Sequence, residues 1–233
     1  MVNEYGAVNP MAYQQLFISM YEQFMTRNNV EVSTLIAKYN VSWVLLAMSA
    51  EIEKRIHPGE HLQASVRNTN RRGPIFRRDI EIQDSDGQVA VRAAKFLTVL
   101  DLDTRRISRN ESILRSLEMD EDSETFPAQS RTVYDEKDFE FRHIRTVHPS
   151  WIDELGHTNN VRYGEMSYDA ISEEKRMRFA NLKRMELFFF HELKRDEQVE
   201  IWTRETENEA LVLGISKVDA KHSFLSRYVF SPE

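Results

Sequence analysis

The 233-residue sequence contains no cysteine. Disulfides, thiolate nucleophiles and cysteine-ligated metal sites are therefore excluded, and this composition favours a cytoplasmic location. No apolar run approaches the roughly 20 residues that a membrane-spanning helix requires. The opening residues MVNEYGAVNP also lack the basic and apolar regions of a secretion signal. We therefore expect a cytoplasmic protein with no membrane partner.

The net charge of −7 is distributed unevenly along the chain. Basic residues outnumber acidic ones between positions 67 and 109, and acidic residues outnumber basic ones between positions 110 and 140. Because the basic residues are modest in number and not interleaved with aromatic side chains, we expect no nucleic-acid partner. The acidic segment has little apolar periodicity, which predicts a linker over residues 110–137.

A long helix followed by several strands is predicted twice, once on each side of this linker. Apolar residues recur every three or four positions after Pro10, which predicts the first helix over residues 10–28. The second helix is predicted over residues 161–178. Strands are predicted over residues 41–56, 60–69, 74–85 and 88–103, and again over residues 138–147, 183–193, 198–206, 210–218 and 222–230. This order indicates an α+β fold in which one unit occurs twice, over residues 1–109 and 138–233.

A short shared motif supports this duplication. The pattern G-x-x-N-x-x-x-Y opens both helices, as Gly6, Asn9 and Tyr13 in the first unit and Gly156, Asn159 and Tyr163 in the second. The two units differ in their ionisable residues: Asp153, His157 and Glu192 align with Asn3, Ala7 and Arg55. The first unit therefore lacks the groups needed for acid–base chemistry, and we expect the second unit to be the catalytic one.

The segment DELGHTNN, residues 153–160, places an acid, a histidine and two asparagines directly before the second helix. Two interpretations remain open. Asp153 and Asn159 are residue types that commonly cap a helix. Alternatively, the helix N-terminus, with its free amide groups and partial positive charge, holds a negatively charged group.

The motif WIDELGHTNNVRYGEMSYDAI, residues 151–171, resembles the hot-dog signature of acyl-acyl-carrier-protein (acyl-ACP) thioesterases. Three further segments resemble that family: the tryptophan-containing strand in YNVSWVLLAMSAEIEKRIHPGE, the hairpin in RRDIEIQDSDGQVAVRAAKFLTVLDLDTRR, and the glutamate-bearing strand in FFFHELKRDEQVEIWT. The resemblance extends from about Gly6 to Phe230.

This resemblance implies two tandem hot-dog units, each an antiparallel sheet wrapped round one long helix. It implies hydrolysis of the thioester between a fatty acyl chain and the phosphopantetheine arm of acyl carrier protein, with Asp153, His157 and Glu192 as the catalytic residues. The first unit would then shape the acyl pocket. The sequence departs from the family at Leu155, where an asparagine is usual. It also has only nine residues before Pro10, where the family has a strand.

The chemistry expected at this site is direct attack by water on the thioester carbonyl. Glu192 or Asp153 would activate the water, His157 would orient it or protonate the thiol, and the backbone amides of residues 158–161 would stabilise the oxyanion. We predict that Asn159 and Asn160 bind substrate and that Trp43, Met20 and Phe24 line an acyl pocket. For the aromatic and methionine residues, an ordinary core position is the simpler interpretation.

We expect no cofactor and no metal site. The basic residues predicted to form a docking surface for the acidic carrier protein are Arg71, Arg72, Arg77, Arg78, Arg105 and Arg106. A solvated hairpin face is the alternative interpretation of this group. Two other functions remain open, namely hydrolysis of coenzyme A thioesters and non-catalytic binding of an acyl carrier. An exposed sheet edge would also permit a homodimer.

Overall fold

The first helix begins where the sequence predicts, because Asn9 caps it and Pro10 suits its first turn. The Asn9 side chain accepts a hydrogen bond from the Ala12 amide at 2.8 Å. In the computed structural model, which describes residues 2–57, 59–118, 123–153 and 155–232, the α-helices are α1 (Pro10–Arg27), α2 (Val32–Tyr39), α3 (Glu111–Ser116), α4 (Asn160–Ala170) and α5 (Glu173–Met177). Two short 3₁₀ helices lie at Pro149–Trp151 and Arg178–Asn181.

The strands form one antiparallel sheet rather than two separate ones. They are β1 (Val41–Ile52), β2 (Gln63–Arg72), β3 (Ile75–Gln83), β4 (Val89–Asp101), β5 (Arg106–Ile107), β6 (Glu140–Thr146), β7 (Leu182–Phe189), β8 (Gln198–Thr206), β9 (Glu209–Ser216) and β10 (His222–Phe230). Their order is β2-β3-β4-β1-β7-β10-β9-β8-β6, with β5 paired to β4. The halves of the chain therefore meet at the β1–β7 pair, where Ala47 lies opposite Phe188.

The helices α1 and α4 pack against each other on one side of this sheet. A Cβ atom added at Gly164 of α4 would lie 1.8 Å from Oε1 of Gln14 in α1. The Gln14 side chain also donates a hydrogen bond to the carbonyl of Asn160 at 3.1 Å. Any larger residue at position 164 would have to displace the Gln14 side chain. The arrangement confirms the predicted α+β class with an antiparallel sheet around long helices.

The second predicted helix is interrupted. Helix α4 ends at Ala170, and Ser172 starts α5 by accepting a hydrogen bond from the Lys175 amide. Glu205 stabilises the break between α4 and α5, because its carboxylate accepts hydrogen bonds from the amide and the hydroxyl of Ser172 at 2.8 and 2.6 Å. The predicted continuous helix over residues 161–178 is therefore wrong in its middle.

The acidic segment packs partly against the sheet. Phe126 is buried, and the amide and hydroxyl of Thr125 donate to the carboxylate of Asp79 in β3. The first part of the segment contains α3, and residues 119–122 of the predicted linker lie outside the described residues. The boundaries at 110 and 137 stay a prediction. No helix in the described ranges combines the length and apolar character needed to cross a lipid bilayer.

Candidate active site

A tight turn before α4 positions Asp153 and His157. The Asp153 carboxylate accepts hydrogen bonds through Oδ1 from the amides of Leu155 at 2.9 Å and His157 at 3.1 Å. The Asp153 amide donates to the His157 carbonyl at 2.8 Å, and Gly156 has a φ of +80°, which favours glycine. Asp153 therefore stabilises the turn through the two hydrogen bonds that its Oδ1 accepts.

The first unit contains the same turn with different chemistry. Through its side-chain oxygen, Asn3 accepts hydrogen bonds from the amides of Tyr5 at 3.1 Å and Ala7 at 2.9 Å, as Asp153 does 150 positions later. Since an asparagine amide holds this turn as well as a carboxylate, the turn itself does not require an acid. The negative charge of Asp153 is therefore available for chemistry.

His157 and Glu192 lie within contact distance of each other and of Arg105. Nε2 of His157 is 2.9 Å from Oε2 of Glu192. The Arg105 guanidinium donates to both oxygens of Glu192 at 2.9 and 2.7 Å and lies 2.6 Å from Nε2 of His157. Because a guanidinium only donates, Nε2 accepts from Arg105 when the imidazole is neutral and can pair with Glu192 when it is protonated. Arg105 therefore contacts both members of the His157–Glu192 pair.

Only one of the four amides expected to face an oxyanion lacks an acceptor in the described part of the chain. The amide of Thr158 donates to the carbonyl of Leu193, the amide of Asn159 donates to that of Trp151, and the amide of Val161 donates to the Asn159 side chain. The Asn160 amide, at the first position of α4, has no such partner. A proline, Pro10, occupies the corresponding position of α1 and has no amide hydrogen.

The residues of the site open into two adjoining cavities. The catalytic cavity, about 370 Å³, is lined by Arg105, Asp153, His157, Glu192 and surrounding apolar residues. The α1 cavity, about 430 Å³, is lined by residues of α1, the start of α2, β1 and β4 and by the turn that leads into α4. Five residues line both cavities: Trp43, Leu45, Asp153, Leu155 and Asn160. Leu155 thus supplies apolar wall at the junction, where the resemblance led us to expect an amide.

Tyr163 connects helix α4 to the segment that carries Glu192. Its ring is buried against Phe189 and Phe224, and its hydroxyl accepts a hydrogen bond from the Leu193 amide at 3.3 Å. Burial raises the pKa of Tyr163 well above its ordinary value, so it remains neutral. The contact fixes residue 193 and thereby the position of its neighbour Glu192.

The three predicted pocket residues have different positions. Trp43 lines both cavities, and its indole nitrogen donates to the carbonyl of Val30 at 2.9 Å. Met20 and Phe24 pack against the hydrophobic core and line neither cavity. That these two residues line an acyl pocket stays a prediction. Of the predicted substrate-binding pair, Asn160 lines both cavities, whereas Asn159 lines only the α1 cavity and caps α4.

The predicted docking arginines do not form one exposed surface. Arg77 and Arg78 are 2% and 1% exposed, so neither can contact a carrier protein from its position, and that part of the prediction is wrong. Arg77 is buried because it forms an ion pair with Asp79 at 2.7 Å and donates to the Phe126 carbonyl. Arg71 is held by Glu111 and Glu118. The remaining members, Arg72, Arg105 and Arg106, retain substantial exposure.

The sequence did not reveal that Arg105 lies beside His157 and Glu192 or that Lys95 is buried. Arg105 lies in the β4–β5 turn of the first half with a φ of +56°, and it reaches residues of the second half. No local motif could reveal this contact, since it depends on the packing of the two halves. Lys95 lies in the middle of a strongly apolar strand. The apolar residues on both sides of it in the sequence could have indicated that it is buried.

An antiparallel sheet wrapped around α1 and α4 is the hot-dog fold. A histidine and a carboxylate, the kinds of side chain that hydrolysis can use, lie at the N-terminus of α4. Family comparisons agree: the acyl-ACP thioesterase N-terminal domain matches residues 12–115, and the acyl-ACP thioesterase C-terminal domain matches residues 134–223. The chain belongs to the acyl-ACP thioesterase family and is a thioester hydrolase.

Solved structures show the same fold. An acyl-ACP thioesterase from Bacteroides thetaiotaomicron is 19% identical with a TM-score of 0.84, and the match covers 99% of this chain and 93% of that one. The 12:0-ACP thioesterase from Umbellularia californica is 14% identical with a TM-score of 0.81, covering 100% and 93% of the two chains. A comparison with curated proteins gives no match.

Proposed function

We propose that this protein hydrolyses the thioester of fatty acyl-ACP and releases a free fatty acid. The observation that carries this proposal is the position of the His157–Glu192 pair, 2.9 Å apart, beside a cavity and beside the Asn160 amide, which has no acceptor among the described residues. In the reaction, a water oxygen attacks the thioester carbonyl and the carbon–sulfur bond breaks. The phosphopantetheine thiol leaves with a proton, and the acyl group leaves as a carboxylic acid.

Glu192 and Asp153 are the two candidates for the base that activates water. The contact of Glu192 with the imidazole of His157 favours Glu192 as the base, because the imidazole can pass the proton to the departing thiol. Arg105 compensates the charge of Glu192 and keeps its carboxylate oriented. Asp153 lines both cavities, and its Oδ2 receives no hydrogen bond from the described residues, so it remains the second candidate.

The Asn160 amide is the proposed oxyanion donor. It is the first residue of α4, where the helix dipole adds positive potential to the free N–H. The first unit has Pro10 at this position, along with Asn3, Ala7 and Arg55 in place of the three catalytic residues. The absence of all four features accounts for a single catalytic site in a duplicated chain.

Two pairs of variants test these roles by thiol release from an acyl-ACP substrate. Glu192→Gln and Asp153→Asn, made separately, should identify the base through a loss of about 100-fold or more in kcat for the variant that removes it. Asp153→Asn is suited to this test because Asn3 holds the corresponding turn in the first unit. Full activity in both variants would exclude a carboxylate base and refute the mechanism.

Asn160→Pro and Asn160→Ala test the oxyanion donor. Proline is accepted at the first position of a helix, as Pro10 demonstrates, and it removes only the amide hydrogen and the side chain. Alanine removes the side chain and keeps the amide hydrogen, so it is the matched control. Loss of one donor should lower kcat by about 100-fold in the proline variant alone. Equal rates in the two variants would remove the Asn160 amide from the mechanism.

We further propose that Arg106 helps to dock the carrier protein, because it is exposed and adjoins Arg105 at the catalytic cavity. Arg106→Glu should raise the KM for acyl-ACP and leave that for a short acyl thioester unchanged. Arg131→Glu, at an exposed arginine lining a different cavity, is the control. An equal effect on both substrates would favour coenzyme A thioesters instead. Tight acyl-ACP binding without thiol release by the wild type would support a non-catalytic carrier-binding protein.

A further inference from the structure

Lys95 is a buried cation in the first half of the chain, away from the His157–Glu192 pair. It lies in the middle of β4 and is 4% exposed. Its ammonium group is 4.2 Å from the centre of the Tyr21 ring in α1. No carboxylate or hydrogen-bond acceptor among the described residues contacts it. The ring face satisfies only part of the bonding capacity of an ammonium group, which has three donors.

The neighbouring strand adds a second buried cation. Arg78 of β3 lies directly opposite Lys95, is 1% exposed, and packs over the rings of Phe24 and Phe76. Its Nη1 donates to the Arg77 carbonyl at 3.1 Å and also to the side-chain oxygen of Asn68, while its Nε has no partner in the described part of the chain. No carboxylate in the described ranges lies within ion-pair distance of Arg78 either. Two adjacent buried cations without an acid carry a large desolvation cost.

Glu22 is the acid that acts on Lys95 at longer range, and it lies exposed on α1. Burial lowers the pKa of Lys95 to about 8, and the charge of Glu22 opposes this effect. The amine is therefore still largely protonated at neutral pH. The Tyr21 hydroxyl is also buried without a hydrogen-bond partner among the described residues. This part of the protein thus contains a strong donor and a neutral hydroxyl, both lacking an acceptor.

The residues Lys95 and Tyr21 both line the α1 cavity, which adjoins the catalytic cavity, and the Tyr21 hydroxyl itself lies buried behind the cavity wall. The other lining residues are half apolar, among them Ile18, Met25 and Leu97, and half polar, among them the carboxylates of Glu22, Glu31 and Asp153. A hydrocarbon chain bound here would bury the Lys95 ammonium group further and leave its donors unpaired, which is unfavourable. An oxygen atom on the chain would accept hydrogen bonds from them. The cavity therefore combines apolar walls for an acyl chain with donors for an oxygen.

We propose that the α1 cavity binds an acyl chain bearing a hydrogen-bond-accepting oxygen along its length, and that Lys95 and Tyr21 select this class of substrate. The inference rests on the proposed hydrolysis of acyl-ACP and specifies its substrate. The reacting thioester carbonyl is proposed to lie beside the Asn160 amide and not beside Lys95 or Tyr21. These two residues would therefore select the substrate without taking part in the reaction. The oxygen is that of a hydroxyl or keto group or of a terminal carboxylate, and the charge of Glu22 disfavours the carboxylate.

The test compares acyl-ACP substrates of equal chain length. One is unsubstituted, one series carries a hydroxyl or a keto group at successive carbons, and one ends in a carboxylate. For at least one oxygen position, kcat/KM of the wild type should exceed that of the unsubstituted chain by about tenfold. Lys95→Met should abolish this ratio and raise kcat/KM for the unsubstituted chain. Tyr21→Phe, a smaller change, should lower the ratio in the same direction.

Lys38→Met is the matched control, because Lys38 also lies over a tyrosine ring but is exposed on α2. It should leave the ratio unchanged. A wild type that prefers the unsubstituted chain over every substituted one, or a ratio that survives both Lys95→Met and Tyr21→Phe, would overturn the inference while leaving acyl-ACP hydrolysis intact. Absence of thiol release from every substrate would instead refute the proposed function.

Discussion

Replacing Lys95 by methionine should stabilise the protein at neutral pH. Burial lowers the pKa of Lys95 from its ordinary value of 10.5 to about 8, because desolvation disfavours the charged amine. At about 1.4 kcal/mol per pH unit, this difference corresponds to a cost of about 3 kcal/mol in the folded protein at pH 7. Methionine avoids this cost and keeps a contact with the Tyr21 ring, so we expect the free energy of unfolding to rise by about 1–3 kcal/mol.

The pH dependence of this gain has a definite sign. The unfolded chain retains the Lys95 proton up to about pH 10.5, whereas the folded protein releases it near pH 8. The cost is therefore fully present below pH 8 and decreases as the pH rises from 8 to 10.5. The advantage of Lys95→Met should be largest near pH 7 and should shrink across that window.

Urea unfolding of the wild type and the variant, at about pH 7 and again at about pH 9.5, measures both effects. Comparing the two proteins at each pH removes the contributions of other titrating groups, including Tyr21. Lys38→Met should change the free energy of unfolding by less than about 0.5 kcal/mol, since Lys38 is exposed. Equal stability of the wild type and Lys95→Met at pH 7, or a gain that persists undiminished at pH 9.5, would refute the assignment of Lys95 as a buried cation.

Substitutions centred on three other positions test the packing around the site by denaturant unfolding. Gly164→Ala should destabilise the protein by about 1–3 kcal/mol, because the new methyl group meets the Gln14 side chain, and Gln14→Ala in the same chain should restore much of the loss. Trp43→Phe should cost about 1–3 kcal/mol, since the Val30 carbonyl loses its donor. Asp153→Asn should change stability by less than about 1 kcal/mol, while Asp153→Ala should cost about 1–3 kcal/mol by freeing two amides.

Each of these three predictions has an outcome that contradicts it. Undiminished stability of Gly164→Ala would mean that α1 and α4 are farther apart at this point. A neutral Trp43→Phe would mean that water replaces the indole donor. Equal losses in Asp153→Asn and Asp153→Ala would show that the turn needs a charge and not merely an acceptor.

Strands with regular patterns could be predicted closely from the sequence. The predicted strands over 198–206 and 222–230 coincide with β8 and β10. Helix α2 was missed, although Val32, Leu35, Ile36 and Tyr39 follow helical spacing, because the segment is short. The sequence also contains a signal for the break after α4. Ser172 is followed by two glutamates, a pattern typical of the start of a new helix.

The arginines of β3 demonstrate what a sequence pattern cannot give. Arg77 and Arg78 occupy opposite faces of their strand, and both are buried, because Phe126 covers one side and α1 covers the other. A single strand pattern predicts at most one covered face. The contacts of Arg105 with His157 and Glu192 likewise depend on how the two halves pack. The convergence of the site was therefore out of reach of local reasoning, although the residues of the second half could be named.

The pairing of β1 with β7 has a consequence for any attempt to redesign the substrate range. Trp43 and Leu45, which lie along the cavities, belong to β1, and β7 leads within three residues to Glu192. The two strands are bonded edge to edge, with Ala47 opposite Phe188. A substitution that shifts the pocket strand β1 is therefore expected also to move the strand that leads to Glu192, so a change of pocket shape and a change in the position of this carboxylate come together.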